Sequence, residues 1–395
     1  MSRRLFLATL LSITLLAGCA PTSPLGQASN PYPLTEPIAL DTLVHLKTGT
    51  TVSTEQMLAD ITDDRLVYVG ETHDNPASHR FQLTILEAMI QRYPEHLAVG
   101  MEMFHQGQQE VLDRWIAGEL SEKEFLRQLH WYETWGIDYA YYRDLLSTMR
   151  EQRIPIIALN VRPEDKMAVM RGGVTPPEVT DPYYRATLLA YFAGHAQGHG
   201  DAETFIRVQN LWDNTMARSL VEYLTQPTHE NDHVLILAGG NHIRYGYGIP
   251  RRAYQLHPLS YSLVGNHEIE VDDSKQDRFM DVTLPELPLL PYDYLLYNRY
   301  EAGPQHMRLG VLLEQHDDGV VIGKVMPGSL AEAGGILAQD RIVSLNGEQV
   351  SEPFDVIYTL RQQHPGNTVL LEIERQGDKA REISIPFAPL SIPPR

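Results

Sequence analysis

The stretch LVYVGETHDNPASHR, residues 66–80, joins an apolar β-branched run to a cluster of ionisable groups, Glu71, His73, Asp74 and His79, with Gly70 at the junction. A short apolar run ending so abruptly reads as a strand buried on both faces. Residues 97–100, 154–159 and 234–238 have the same character. Between the first two runs, Phe81, Ile85 and Met89 recur at i, i+4 and i+8, which predicts a helix with one face on the core. Strand, helix and strand in that order imply parallel pairing through right-handed crossovers, hence an α/β domain with a mainly parallel sheet flanked by helices, expected over 37–301. The carboxyl ends of parallel strands share one rim, where ligands bind. Glu71 and His73 end the first strand, Glu102 in VGMEMF ends the second, and His242 in AGGNHIRYGYG follows the run at 234. Together they offer oxygen and nitrogen donors to a divalent transition metal, or carboxylate–imidazole pairs able to activate water.

The first residues concern the compartment. A positive start, a short apolar run and the sequence Leu16-Ala17-Gly18-Cys19 resemble a bacterial lipoprotein signal, which implies removal of 1–18 and lipidation of Cys19. The apolar run is too short to span a bilayer. Ala20, rather than Asp, favours the outer membrane, with the protein anchored on its periplasmic face. Cys19 is the chain's single cysteine, which excludes an intramolecular disulfide and a cysteine-based zinc site in the mature protein. Residues 19–36, rich in Pro and Ser, read as a tether. Acidic residues outnumber basic ones, 51 against 32, for a net charge of −19. Such a surface repels phosphate backbones, so nucleic acid is not an expected partner.

From Arg308 onward the text becomes short strands divided by glycine-rich turns around a helix near 354–362. Leu309-Gly310-Val311 and DRIVSLNG at 340–347 resemble a bacterial PDZ domain, mostly β, expected over 305–390. The resemblance implies that backbone N–H groups of Leu309, Gly310 and Val311 capture a partner's C-terminal carboxylate, with Ile357 and Leu360 flooring the pocket for its last side chain. AGGILAQD departs from the family pattern before Asp340 and is expected to alter a loop. The Pro-rich join around Pro285, Pro288 and Pro291 is expected to separate two independent cores.

VGETHDN, VGMEMF, VQNLWDNTMA (208–217) and GGNHIRYGYGIPRR (239–252) resemble the ChaN family of haem-binding lipoproteins, in the superfamily that includes Tiki-type metalloproteases and erythromycin esterases. The resemblance implies haem, held in a homodimer with a tyrosine as iron ligand, and a place in iron uptake. Two stretches place tyrosines beside Arg or His, 130–143 and 244–252. The second, with Tyr245 and Tyr247 near His242, Arg251 and Arg252, is the preferred ligand set, Tyr247 foremost and His79 nearby. His195 and His199 read as part of a loop over the site. Two further readings stay open: a metal-dependent hydrolase using Glu71, His73, Glu102 and His242, and a PDZ adaptor whose α/β site is vestigial.

Overall fold

The computed structural model describes residues 37–173, 181–194, 201–276, 282–285, 287–375 and 379–388. Cys19, His195 and His199 lie outside them, and among the described residues no helix is long and apolar enough to cross a membrane.

The first sheet contains β1 (Thr42–His45), β2 (Thr50–Val52), β3 (Leu66–Glu71), β4 (Leu97–His105), β5 (Ile156–Asn160), β6 (His233–Gly239), β7 (Tyr261–Val271) and β8 (Tyr294–Tyr300). Their order is β2-β1-β8-β7-β3-β6-β4-β5. The six strands from β8 to β5 run parallel, and the β1–β2 hairpin closes one edge antiparallel. Because strand side chains alternate, Val67 and Val69 of β3 enter one core while Leu66 and Tyr68 enter the other. Helix Pro76–Arg92 covers the first face with Phe81, Ile85 and Met89, as its stripe predicts, and helix Ala202–Leu224 lies against the second. Asn75 caps the former by accepting from the Ala77 N–H, and Pro76 fills the first turn, where its missing N–H costs nothing. The letters DNP therefore stop the strand-end loop and start the helix.

The second sheet is antiparallel: β9 (Val311–His316), β10 (Gly319–Val325), β11 (Asp340–Leu345), β12 (Glu348–Gln349), β13 (Thr368–Arg375) and β14 (Arg381–Pro386), in order β14-β13-β11-β10-β9 with β12 on β11. The expectation of two separate cores is corrected here. Helix Pro353–Arg361 turns Val356 and Leu360 to its own sheet, but Phe354 belongs to the α/β core and lies 5.7 Å from the Tyr132 ring. Asp355, nearly buried, receives Arg127 at 2.7 Å and Lys123 at 3.3 Å, and Asp138 receives both Arg361 and His306. These pairs join the two sheets' helices into a continuous interface. The Pro285, Pro288 and Pro291 stretch is not the boundary either, because β8 follows it and returns to the first sheet between β7 and β1.

Candidate functional site

The three strand ends meet. In register, Glu71 of β3 lies beside Gly239 of β6, and Met101 of β4 beside Leu237, so Glu71 and Glu102 flank the end of β6, from which the short helix Gly240–Ile243 carries His242. Glu71 is buried and accepts from the Tyr142 hydroxyl at 2.7 Å, the Gln82 amide at 2.6 Å and His73 Nδ1 at 2.7 Å, with His79 at 3.8 Å. Glu102 accepts from the Gly239 N–H at 2.6 Å and faces His242 Nε2 at 3.4 Å. His242 Nδ1 lies 2.6 Å from Asp213, which also takes the Tyr184 hydroxyl. The result is two carboxylate–imidazole pairs meeting at Gly239. A Cβ on Gly239 would sit 2.9 Å from His73 Nε2 and 3.5 Å from Glu102 Oε2, so glycine is what lets the pairs approach. His73 keeps a third of its side chain exposed and stands edge-on to Trp135, ring centres 5.0 Å apart.

Burial opposes every charge in this cluster, and the partners overcome it. Desolvation pushes Glu102 up, yet the imidazoles of His242 and His73 and the Gly239 N–H bring it down to about 2. Desolvation pulls His242 down, yet Glu102 and Asp213 lift it to about 10. Glu71 is held below its ordinary value against burial by His79 and His73, and His73 is raised against burial by Glu71 and Glu102. Burial and the Glu71 charge raise Tyr142 well above an ordinary phenol, so it remains a donor.

The site opens into a cavity of about 410 Å³ lined by Glu71, His73 and His242 on one side and by Tyr191, Arg244 and Tyr292 on another. The Arg244 guanidinium stands 5.7 Å from the Tyr292 ring centre, its Nε is buried without a hydrogen-bond partner, and among the described residues no carboxylate pairs with it. Of the residues assigned from sequence, Glu71, His73, Glu102, His242 and His79 come together. Tyr247 does not reach the cavity: it packs with Tyr184, Leu188 and Ile206, and burial raises its phenol to about 12. Tyr245 adjoins the same cluster. Arg252 spends its donors inside the fold, on Asn214, Asn210 and the carbonyls of Tyr247 and Gly248, and Arg251 pairs with Asp181. Among the described residues no three or more His, Cys, Asp or Glu side chains are arranged to hold a metal ion, since the four site residues are committed to one another in pairs.

Sequence reasoning assigned no role to Asp213 or Tyr292, and although it singled out the stretches 130–143 and 244–252, it did not pick Trp135, Tyr142 or Arg244 from them. Asp213 left a signal: on helix Ala202–Leu224 it sits in the buried row Ile206, Gln209, Asn210, Asp213, Met216, Ala217, Leu220. Three polar side chains in a core-facing row need buried partners.

A second cavity, about 780 Å³, lies between the sheets; Leu309, Gly310, Val311, Ile357 and Leu360 all line it, with Ile137, Tyr141 and Lys275 opposite. Asp74 and Ile137 line both cavities.

A parallel-rich α/β sheet with this rim, joined to a six-stranded antiparallel domain, defines the class, and comparison places it. Residues 57–253 match the family model described as haem-binding uptake, Tiki superfamily, ChaN, and 307–386 match the PDZ domain model; the chain carries a ChaN-type domain followed by a PDZ domain. The fold is shared with the ChaN of Campylobacter jejuni, solved with cofacially bound haem, at a TM-score of 0.53, 18% identity, 66% of this chain and 98% of that one. The zinc metalloprotease RasP of Geobacillus kaustophilus (strain HTA426) is 32% identical over 77 residues, 20% of this chain and 18% of that protein's length.

Proposed function

We propose that the chain is a haem-handling lipoprotein of the periplasm, anchored to the outer membrane through Cys19, whose α/β domain holds haem and whose PDZ domain recruits a protein partner by its C-terminus. The family match supports haem as the ligand, and Arg244 carries the placement. Arg244 lines the cavity with its Nε buried and unpartnered and, among the described residues, no carboxylate within ion-pair distance, although the Tyr292 and Tyr191 phenols lie against its guanidinium, and that arrangement suits an incoming anion. Haem supplies a ferric iron and two propionate carboxylates. The donors present suit that group: Arg244 for a propionate, and Tyr191 or Tyr292 as phenol oxygens for the iron; burial raises the Tyr191 phenol, and the Arg244 charge works against that rise. Assembly as a homodimer, implied by the family resemblance, fits an iron-uptake role in which haem is passed on.

Titration with haemin, followed by absorption, should give a Soret band and a charge-transfer feature unlike those of free haemin. Arg244→Gln should weaken binding about tenfold to a hundredfold, the worth of one charge-assisted hydrogen bond. Tyr247→Phe should leave the spectrum unchanged, because that ring faces the aromatic cluster rather than the cavity. A wild-type titration giving only the spectrum of free or aggregated haemin would reject the reading.

For the PDZ part, Leu309 and Gly310 matter through their backbone. Neither N–H has a hydrogen-bond acceptor among the described residues, which suits a loop made to receive a carboxylate. Gly310 has φ 76°, and a Cβ would run into Ser329 behind the loop rather than into the incoming carboxylate. Gly310→Val is therefore expected to displace the loop and raise the Kd for C-terminal peptides at least about tenfold, with haemin binding unaltered. Calorimetry on the full chain checks this, and equal affinity in the variant would dismiss the loop's role.

A further inference from the structure

The peptide groove has a second owner. Its floor comes from the PDZ domain, Leu313, Val356 and Leu360, but its opposite wall is Ile137, Tyr141 and Lys275 of the α/β domain. The clamps at Asp138 and Asp355 and the burial of Phe354 in the α/β core hold that wall in place. We propose that the two domains read a partner's C-terminus jointly, the PDZ domain taking the carboxylate and the last side chain, and the α/β domain taking the penultimate one.

The occupant follows from the donors. The N–H groups of Leu309 and Gly310 have no acceptor among the described residues, and Arg308, exposed at the same mouth, has no ion-pair partner among them, so the groove suits a free carboxylate. A peptide added beside β9 sends successive side chains to opposite faces. When the last side chain points to the apolar floor, the next one back points away from it. On an isolated PDZ domain that direction is solvent; here it is the α/β wall, where Ile137 offers an apolar surface and Tyr141 an aromatic one. The position has a further consequence. Ile137 and Asp74 also line the cavity that holds His73 and Arg244, and Lys275 bonds Asp74 at 3.0 Å, so the recognised tail lies one side chain away from the haem site. A partner docked in this way would lie beside the cavity proposed for haem, separated from it by Asp74 and Ile137.

This inference rests on the peptide-capture reading above, and one experiment separates their failures. The full chain is photolysed with peptides randomised upstream, each carrying benzoylphenylalanine at the penultimate position and ending in Val, Leu, Ile or Phe, with free or amidated termini. Adducts are mapped by mass spectrometry. The expected result is adducts on residues 136–141 and 274–275, lost on amidation. Carboxylate-dependent binding with every adduct confined to 307–388 would overturn the joint groove and leave PDZ capture standing. Binding indifferent to amidation, or no binding, would overturn both.

Discussion

Glu102→Gln is expected to lower the melting temperature by roughly 6–12 °C, the consequence of losing about 3 kcal/mol when one partner of a buried ion pair is removed from a domain of this size. Glutamine keeps the shape and its amide oxygen can still accept from the Gly239 N–H, but its NH2 group then faces His242 Nε2, so the substitution removes both the charge and the acceptor on that side. What remains is His242, buried and held protonated by two carboxylates, of which one is now gone. Its titration should move down from about 10, which a histidine NMR titration reads directly. A variant whose melting temperature falls by less than about 2 °C would mean that the Glu102 charge is not part of the fold's stability.

The same pair sets a pH window, and the signs of the two shifts define it. His242 is raised above its ordinary 6.5, so its contribution is complete below that value and is lost as pH rises towards about 10. Glu102 is depressed below its ordinary 4.5, so its contribution is complete above that value and is lost as pH falls towards about 2. Resistance to urea should therefore be greatest between these ordinary values, and in Glu102→Gln the acid limb should flatten while the alkaline limb becomes shorter and ends at a lower pH.

How much of this was legible in the sequence depends on the kind of signal. Buried strands such as β3 and β6 announce themselves because both faces are covered, so their interiors, 66–69 and 234–238, read as short hydrophobic runs. The β1–β2 hairpin and β7 are less visible. TLVH and TTV are too short to show alternation, and β7 turns polar after Asn266, where its burial falls away. That Glu71, His73, Glu102 and His242 would meet was readable because a parallel sheet collects strand ends on one rim, a rule of topology that needs no contacts. Their partners were not, since Tyr142 lies 71 positions from Glu71 and reaches it through packing that no local pattern encodes. The packing of the tyrosines near His242 was hidden for the same reason. Nearness in sequence put Tyr245 and Tyr247 at the site, but Tyr245 adopts φ 60° and the chain turns both rings into a neighbouring cluster, leaving Arg244 at the cavity. The positive φ at a non-glycine residue is a property of the folded loop, and RYGYG contains no letter that declares it.

That loop carries the other large effect. Gly248→Ala is expected to cost roughly 4 kcal/mol or more, the range reserved for a named structural fault. Gly248 leads into helix Ile249–Leu256, packed directly against the backbone of His242. An added Cβ would overlap the His242 carbonyl oxygen, lie 2.7 Å from its carbon and stand 3.0 Å from Asp213 Oδ1. The obstacle is backbone, which cannot swing aside as a flexible side chain does. Relief would have to come from moving the segment between His242 and Gly248, and that movement would pull His242 away from Asp213 and Glu102 together. Two readouts should change at once: the melting temperature falls, and the His242 titration drops towards its ordinary value as both carboxylates withdraw. Gly118→Ala supplies the comparison, because Gly118 has φ 80° with nothing within 4 Å of its Cβ position, so the substitution measures left-handed strain alone, about 1–2 kcal/mol. Should Gly248→Ala prove no more costly than Gly118→Ala, the loop would be free to yield, and the rigid placement of His242 on which the site geometry depends would be wrong.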